Sequence, residues 1–299
     1  MKKNREMPSL PPQAKRHMGM KAANTVSNVF IYIFLSVIVV IWLFPFVCIL
    51  LQSFETAVKC MSGNVIPRKF GLDNYKALFS SDSNYLKWYL NTFIIAVCVA
   101  LGQTVIQLCM SYTLSRFRFK MRKPLMQLML ILGMFPGMLG MVILYNVLKD
   151  LNLTQANAVP GLILVSIASS GMGYYVSKGF FDTIPKTLDE AARVDGATRL
   201  QVFYKVIMPL SGSIIIYTIL MGFMAPWGDF MLASYLIHEN SQGMTVAVGM
   251  FEWLSKTIVN TNYTMFCAAG VVVAVPVTTV FLCLQKYYVE GVTGGAVKG

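Results

Sequence analysis

Charge is scarce in this sequence. Asp, Glu, Lys and Arg make up 13% of its 299 residues, against about 25% in soluble domains. Residues 22–54, 88–115, 124–148, 151–177, 206–228 and 257–285 carry none of the four. Histidine is nearly missing, with His17 and His238 as the two examples. The six cysteines (Cys48, Cys60, Cys98, Cys109, Cys267 and Cys283) show no metal-type spacing and read as membrane packing residues. No G-x-x-x-x-G-K-[ST], H-E-x-x-H, C-x-x-C or G-x-S-x-G occurs. The chain therefore has no phosphate-cradling loop of that type, no zincin helix and no serine elbow. A single acid, Asp229, falls inside the apolar runs mapped below. An intramembrane enzyme or an ion-coupled transporter would need paired ionisable groups there.

Hydrophobic residues make up 56% of the sequence. Each charge-free run can hold the roughly 20 residues that a helix needs to cross a bilayer. The runs predict six spans, at about 29–51, 91–114, 125–148, 158–178, 209–236 and 263–285. With the N-terminus inside, 18 of the 25 Lys and Arg residues fall in inside segments. The positive-inside rule thus places both termini in the cytoplasm. That placement also accounts for the net charge of +12, because the cations sit at span ends and not in one nucleic-acid-binding stripe. The expected layout is a disordered basic cytoplasmic tail at 1–28, a membrane domain at 29–286 and a glycine-rich cytoplasmic tail at 287–299.

One polar segment interrupts this pattern. Between the fourth and fifth spans, at about 182–208, lies "DEAARVDGATRLQVFYKVIMPL" (Asp189–Leu210). Thr187 with Glu190 fits a capping box, and Asp189 and Glu190 suit the first turn of a helix. Gly196 can stop that helix in the left-handed conformation. Thr198 with Gln201 fits a second capping box, opening a helix with Leu200, Phe203, Tyr204 and Ile207 on one face. Pro209 opens the next span. Such a short pair is too small to hold a core of its own. It either lies on the membrane interface or protrudes into a cleft on a partner, and small Ala191 and Ala192 suit both.

The spacing Glu190-Ala191-Ala192, Gly196, then Val206-Ile207-Met208-Pro209 resembles the EAA loop of ABC importer permeases. "NVIPRKFGLDNYKALF" (Asn64–Phe79), "NTFIIAV" (Asn91–Val97) and "SYTLSRFRF" (Ser111–Phe119) resemble carbohydrate importer permeases. "TVAVGM" (Thr245–Met250) and "YYVEGVTGGAVKG" (Tyr287–Gly299) resemble the MalG-type permeases of the maltose/maltodextrin family. The resemblance implies an all-α membrane protein of the type I ABC importer (MetI-like) fold, multi-pass in a bacterial cytoplasmic membrane. It implies a subunit without its own ATPase site or cofactor, with ATP and Mg held by partners. Those partners would be a MalF-like permease, two MalK-like ATPase subunits and an extracytoplasmic sugar-binding protein. Asp189, Glu190, Ala191, Ala192, Asp195, Gly196 and Pro209 would then form the ATPase-coupling loop. Maltose or maltodextrin is the implied cargo. Another oligosaccharide, or a non-transporting scaffold, are the alternatives.

Other features bear on a path through the membrane. Pro136 with Gly133 and Gly137 predicts a kink in the third span that either packs helices or lines the route. Trp227 could stack on a sugar or sit in the outer aromatic belt, and Asp229 could face a cavity or cap a neighbour. "PWGDF" (Pro226–Phe230) departs from the W-N-E-F common in sugar permeases. Phe251, Trp253 and Leu254 fall in the outer segment between spans five and six and suit contact with a binding protein or the membrane surface. The tail holding Gly294, Gly295 and Lys298 is expected to be unstructured alone, reaching toward the ATPases.

Overall fold

The computed structural model describes residues 14–60, 64–81, 83–134, 137–237, 243–255 and 259–296. Its helices, in chain order, are α1 (Ala14–Ser53), α2 (Asp73–Leu78), α3 (Tyr85–Arg116), α4 (Arg122–Gly133), α5 (Gly137–Asp150), α6 (Ala158–Ser169), α7 (Tyr174–Thr183) and α8 (Thr187–Val194). They continue as α9 (Arg199–Gln201), α10 (Met208–Leu210), α11 (Gly212–Gly228), α12 (Met231–Ile237), α13 (Val246–Ser255) and α14 (Val259–Ala296). Among the described residues there is no strand, only one bridge between Glu55 and Phe70.

Helix α3 is the mast of the bundle, packed against α6, α7, α11 and α13. Its inner face is apolar toward the start, with Trp88, Ile95 and Val99 buried. Toward the end it turns polar, with Thr104, Gln107, Ser111 and Ser115 buried at helical spacing. These groups find partners on the next chain segment. Gln107 Nε2 donates to the Gly173 carbonyl at 2.9 Å and to Ser177 Oγ at 2.9 Å. Ser111 Oγ donates to the Tyr174 carbonyl at 3.0 Å. In hydrocarbon an unpaired polar group costs several kcal/mol, so these bonds fix which face of α7 meets α3. Elsewhere the contact is made by small residues. A Cβ on Gly222 would stand 2.9 Å from Ala100 Cα, so α11 and α3 cross nearly backbone to backbone there.

Helix α1 is the opposite case. None of its most apolar window is buried by the rest of the chain, and Phe30, Trp42 and Phe46 are all exposed. Lipid or another protein must cover that surface.

Among the described residues, three helices are long and apolar enough to cross a membrane, and five if two bent pairs are each taken as one span. The bends are 101° between Gly140–Asp150 and Gln155–Ser169, and 83° between Arg199–Leu210 and Gly212–Gly228. Where six runs were expected, the third holds α4 and α5, with the joining residues 135–136 outside the described residues. The fourth is split into α6 and α7 by a 3₁₀ turn at Ser170–Gly173. The fifth divides at Asp229, whose backbone is extended. Apolar composition marks these segments but does not register where a helix breaks.

Both ends differ from expectation. Residues 14–28, expected as disordered tail, are the start of α1. Gly294 and Gly295, expected in an unstructured tail, lie in the last turns of α14. Glycine costs about 1 kcal/mol per helical position relative to Ala. Extending a long helix nonetheless avoids the unfavourable nucleation step that an isolated segment would face. Pro136 and Lys298 lie outside the described residues. Gly133 meets nothing within 4 Å, so it does not supply the close helix contact within this chain.

The glycine environments give a contrast to measure. Gly222→Ala presses a methyl into the Ala100 backbone and should destabilise by about 1–3 kcal/mol. Gly179→Ala, in the interior of α7 with open space around it, should stabilise by about 0.5–1 kcal/mol. Thermal unfolding of the purified protein in detergent reads both, and equal shifts would contradict the α3–α11 crossing.

Candidate functional site: a two-helix loop and a membrane chamber

The polar segment folds as a helix, a turn and a second helix. Helix α8 has eight residues, about 12 Å of length. Its start differs from expectation. Lys186 occupies the N-cap in helical conformation without a side-chain cap, so the Thr187–Glu190 box does not form. The reason is that the helix begins one residue earlier, which puts Thr187 inside its first turn. The stop is as expected. Gly196 has φ +85°, its N–H donates to the Arg193 carbonyl at 3.1 Å, and the Ala197 N–H donates to the Ala192 carbonyl at 3.0 Å. That is a Schellman turn, which needs a left-handed residue. The second capping box is complete, with Thr198 N–H donating to Gln201 Oε1 at 2.7 Å and Gln201 N–H to Thr198 Oγ1 at 3.3 Å.

Helix α9 then runs into a π-helical stretch, Val202–Ile207, before α10. The wider turn divides the expected apolar face. Phe203 and Ile207 point into the core, whereas Leu200 and Tyr204 point out. Pro209 lies in α10, one bend before α11.

A cluster of Leu108, Tyr112, Phe181, Ile184, Val202 and Ile207 carries the loop. Ala192 packs against it. Its neighbours Glu190, Ala191 and Asp195 stay exposed, as do Val194 at 88% and Leu200 at 69%. The loop therefore offers a surface to solvent that mixes small and apolar Ala191, Val194 and Leu200 with charged Glu190, Arg193 and Asp195, while its other face is seated.

One buried ion pair locks it. Arg116 Nε lies 3.2 Å from Asp189 Oδ2, and Arg116 Nη2 donates to the Ile184 carbonyl at 2.9 Å. Burial pushes the Asp189 carboxyl above its ordinary value and Glu190 adds to this, while Arg116 pulls it down. Nearby, Ser115 Oγ donates to Asp182 Oδ1 at 2.6 Å, and Lys178 Nζ reaches Asp182 Oδ2 at 2.5 Å. Burial raises the Asp182 carboxyl, but the bonds from Lys178 and Ser115 outweigh it and hold the group below its ordinary value. The end of α3 thus grips both α7 and α8. A cleft of about 440 Å³ opens beside it, lined by Arg116, Arg118, Lys186, Glu190, Arg193 and Arg199 among others. Arg116 escaped the sequence reading because its partner is 73 positions away, and no local spacing links them.

The candidate path residues separate. Trp227 is 6% exposed and packs with Phe223 and against Tyr89, so it is not free to stack on a solute. Asp229 caps α12, its Oδ1 accepting from Leu232 N–H at 3.2 Å. It also lines a chamber of about 250 Å³ between α3, α6, α11 and α12. The outer segment is a packed helix, α13. Val246 N–H donates to Thr92 Oγ1 at 2.9 Å. Trp253 is half-buried against Tyr85 and Trp88, and Leu254 is half-buried. Of the three outer residues, Phe251 is the one exposed; its ring also touches Phe230.

Residues 107–294 match the family model described as "Binding-protein-dependent transport system inner membrane component". The chain is 32% identical over 283 residues to the galactooligosaccharides transport system permease protein GanQ of Bacillus subtilis (strain 168), covering 94% of this chain and 99% of that one. It is 30% identical over 285 residues to the maltodextrin transport system permease protein MdxG of the same strain, covering 94% and 100%. A solved bacterial ABC transporter involved in import of the acidic polysaccharide alginate has a similar fold. One of its chains matches with a TM-score of 0.71 at 21% identity, over 94% of this chain and all of that one.

The ion pair makes its own prediction. Arg116→Leu leaves the partly buried Asp189 carboxylate without its nearest cation, a change that costs about 1–3 kcal/mol, below the value for a fully buried pair. Limited proteolysis at Lys186 and Arg193 should accelerate while the remaining helices stay protected. The double variant Arg116→Leu with Asp189→Leu should recover much of the protection. Equal protease sensitivity in single and double variants would show that the two side chains act independently.

Proposed function

Because the chain belongs to the family of inner membrane components of binding-protein-dependent transport systems, we propose that it is the permease subunit of an ATP-driven oligosaccharide importer. The observation that carries this reading is the loop. Its Glu190, Ala191 and Val194 surface is exposed, while Ala192 and the Arg116–Asp189 pair tie its other face to α3. A partner that moves α8 therefore moves the mast of the bundle. ATPase subunits of the MalK type, holding ATP and Mg, are the proposed occupants of that surface. A MalF-like permease would cover bare α1, and an extracytoplasmic binding protein would deliver the sugar near Phe251. ATP binding would close the ATPases, carry α8 with them and turn the spans from inward-facing to outward-facing. Hydrolysis would reset them. The proposed arrangement has six spans with both termini in the cytoplasm, an orientation that the basic residues support; the helical end holding Gly294 and Gly295 would then lie on the ATPase side.

Maltodextrin is the first cargo proposed, supported by the MdxG-like sequence. A galactooligosaccharide is the second, favoured by the 32% identity to GanQ. Uptake by the assembled complex across a panel of both sugars, together with ATPase stimulation by the loaded binding protein, tests the reading. No uptake and no stimulation with any sugar would leave a membrane scaffold.

Two variants test the arrangement. A Cβ at Gly196 would meet nothing within 4 Å, so substitutions there act through the backbone alone. An ordinary L-residue in the left-handed region costs roughly 1–2 kcal/mol, and Asn less. Coupled uptake should therefore fall in the order Gly196, Gly196→Asn, Gly196→Ala, with the spans still inserted; a flat series would count against the coupling role. For orientation, a membrane-impermeant thiol reagent should reach Cys60 in intact cells and should not reach Lys120→Cys. The reverse pattern would invert the topology.

A further inference from the structure

The chamber beside Asp229 is built from unlike parts. Val99 and Pro226 give it apolar wall, while Gln103, Ser166, Thr245 and Asp229 bring polar groups to it. Thr245 is 2% exposed, and its Oγ1 has no hydrogen-bond partner among the described residues. A buried hydroxyl without a partner is costly, about 1–3 kcal/mol. It is seldom kept unless something completes it. Asp229 uses Oδ1 to cap α12, and it sits where the backbone leaves helical form between α11 and α12. Irregular backbone at membrane depth is tolerated where it lines a cavity.

The lining limits the ligand. The volume of about 250 Å³ falls below the roughly 300–1,000 Å³ that holds drug-sized molecules, so one small ring fits and a chain does not. Among the described residues no Lys or Arg lines the chamber, which disfavours an anion beside Asp229. No group of three metal-ligating side chains occurs among the described residues, which argues against a bound metal ion. What remains is a neutral molecule with several hydroxyls and apolar C–H faces.

We propose that this chamber binds one neutral sugar ring of the transported saccharide. Asp229 accepts hydrogen bonds from ring hydroxyls, Gln103 and Thr245 bond to others, and Pro226 packs against ring carbons. The proposal rests on the permease reading and adds that this subunit itself holds part of the cargo.

The test uses the assembled complex of both permeases and the ATPases, carrying Ser166→Cys in this chain. Modification at position 166 by a small methanethiosulfonate is followed by mass spectrometry, with maltotriose, galactotriose or a triuronate present. At least one neutral trisaccharide should slow modification about fivefold, and the triuronate should not. Thr245→Val breaks no hydrogen bond in the empty protein. By removing an unpartnered buried hydroxyl it should raise thermal stability or leave it no lower, and it should raise the sugar concentration for half-protection about fivefold. Asp229→Asn retains an oxygen to cap α12 and should raise that concentration about tenfold.

A complex that transports a saccharide yet shows no protection, or no modification at position 166, would overturn the chamber and leave the permease reading standing. Equal protection by the triuronate would also overturn it. Transport of no saccharide at all would sink the permease reading and this proposal with it. Should Ser166→Cys fail to assemble, the half-saturating sugar concentration for transport by Thr245→Val decides. A rise of about fivefold upholds the proposal, and an unchanged value refutes it.

Discussion

Hydrogen bonds from the buried face of α3 hold the rest of this structure in place. Gln107 and Ser111 have no water to turn to inside a bilayer, so they must meet the Gly173 and Tyr174 carbonyls and Ser177. That requirement sets the rotation of α7 against α3. One turn further, Ser115 meets Asp182 and Arg116 meets Asp189, so the same helix also sets the position of the loop. At its other end Tyr85 OH donates to the Ala269 carbonyl at 3.0 Å, and Thr92 accepts from α13. Apolar burial alone would not select among these arrangements, because lipid tails are as apolar as leucine.

A loop held this way can transmit force. Its seated face is a packed cluster and a buried ion pair, both intolerant of small displacement. Its free face carries Ala191, small enough to let a partner backbone come close, beside charged Glu190, Arg193 and Asp195. The Schellman turn at Gly196 and the complete capping box at Thr198 set the local turn between the two short helices, and the cluster beneath them holds the pair in place. The end of the subunit that holds the α1–α2 connection follows similar logic. Glu55 is almost fully buried and accepts backbone N–H bonds from Arg68 at 2.5 Å and Ala57 at 2.7 Å. Burial raises its carboxyl, yet these bonds, with a longer one from Lys69, hold it below its ordinary value. Asn74 bridges the Ser53 and Glu55 carbonyls to Thr264 of α14. The α1–α2 connection is therefore pinned to the last helix.

Breaks in helices are where this membrane domain departs from a plain bundle. The extended residue Asp229, the 3₁₀ turn at Ser170–Gly173 and the π-helical stretch at Val202–Ile207 each redirect a segment. Each lies beside a candidate functional surface: the chamber, the α3–α7 contact and the loop. Local irregularity at these points re-aims side chains that a continuous helix would have sent elsewhere. The clearest case is Leu200, which is turned outward and away from Phe203 and Ile207.

The sequence by itself determined what depends on near neighbours. Charge-free runs marked the membrane, a threonine three residues before a glutamine marked a helix start, and a lone glycine marked a left-handed stop. These rest on bonds spanning a few residues, so the order of residues contains most of them, although the Thr187–Glu190 box gave way to a helix that begins one residue earlier. The family resemblance rested on the same local spacing. Tertiary structure decided the rest. It paired Arg116 with Asp189, placed Trp227 in packing instead of on a path, and turned Trp253 inward. It left Thr245 Oγ1 without a partner beside a chamber. It also carried α14 through Gly294 and Gly295, where composition alone argued for an unstructured tail. In each case the deciding partner, or the helix already formed, lies outside the local window. Its free energy enters only when distant segments share the same few ångströms.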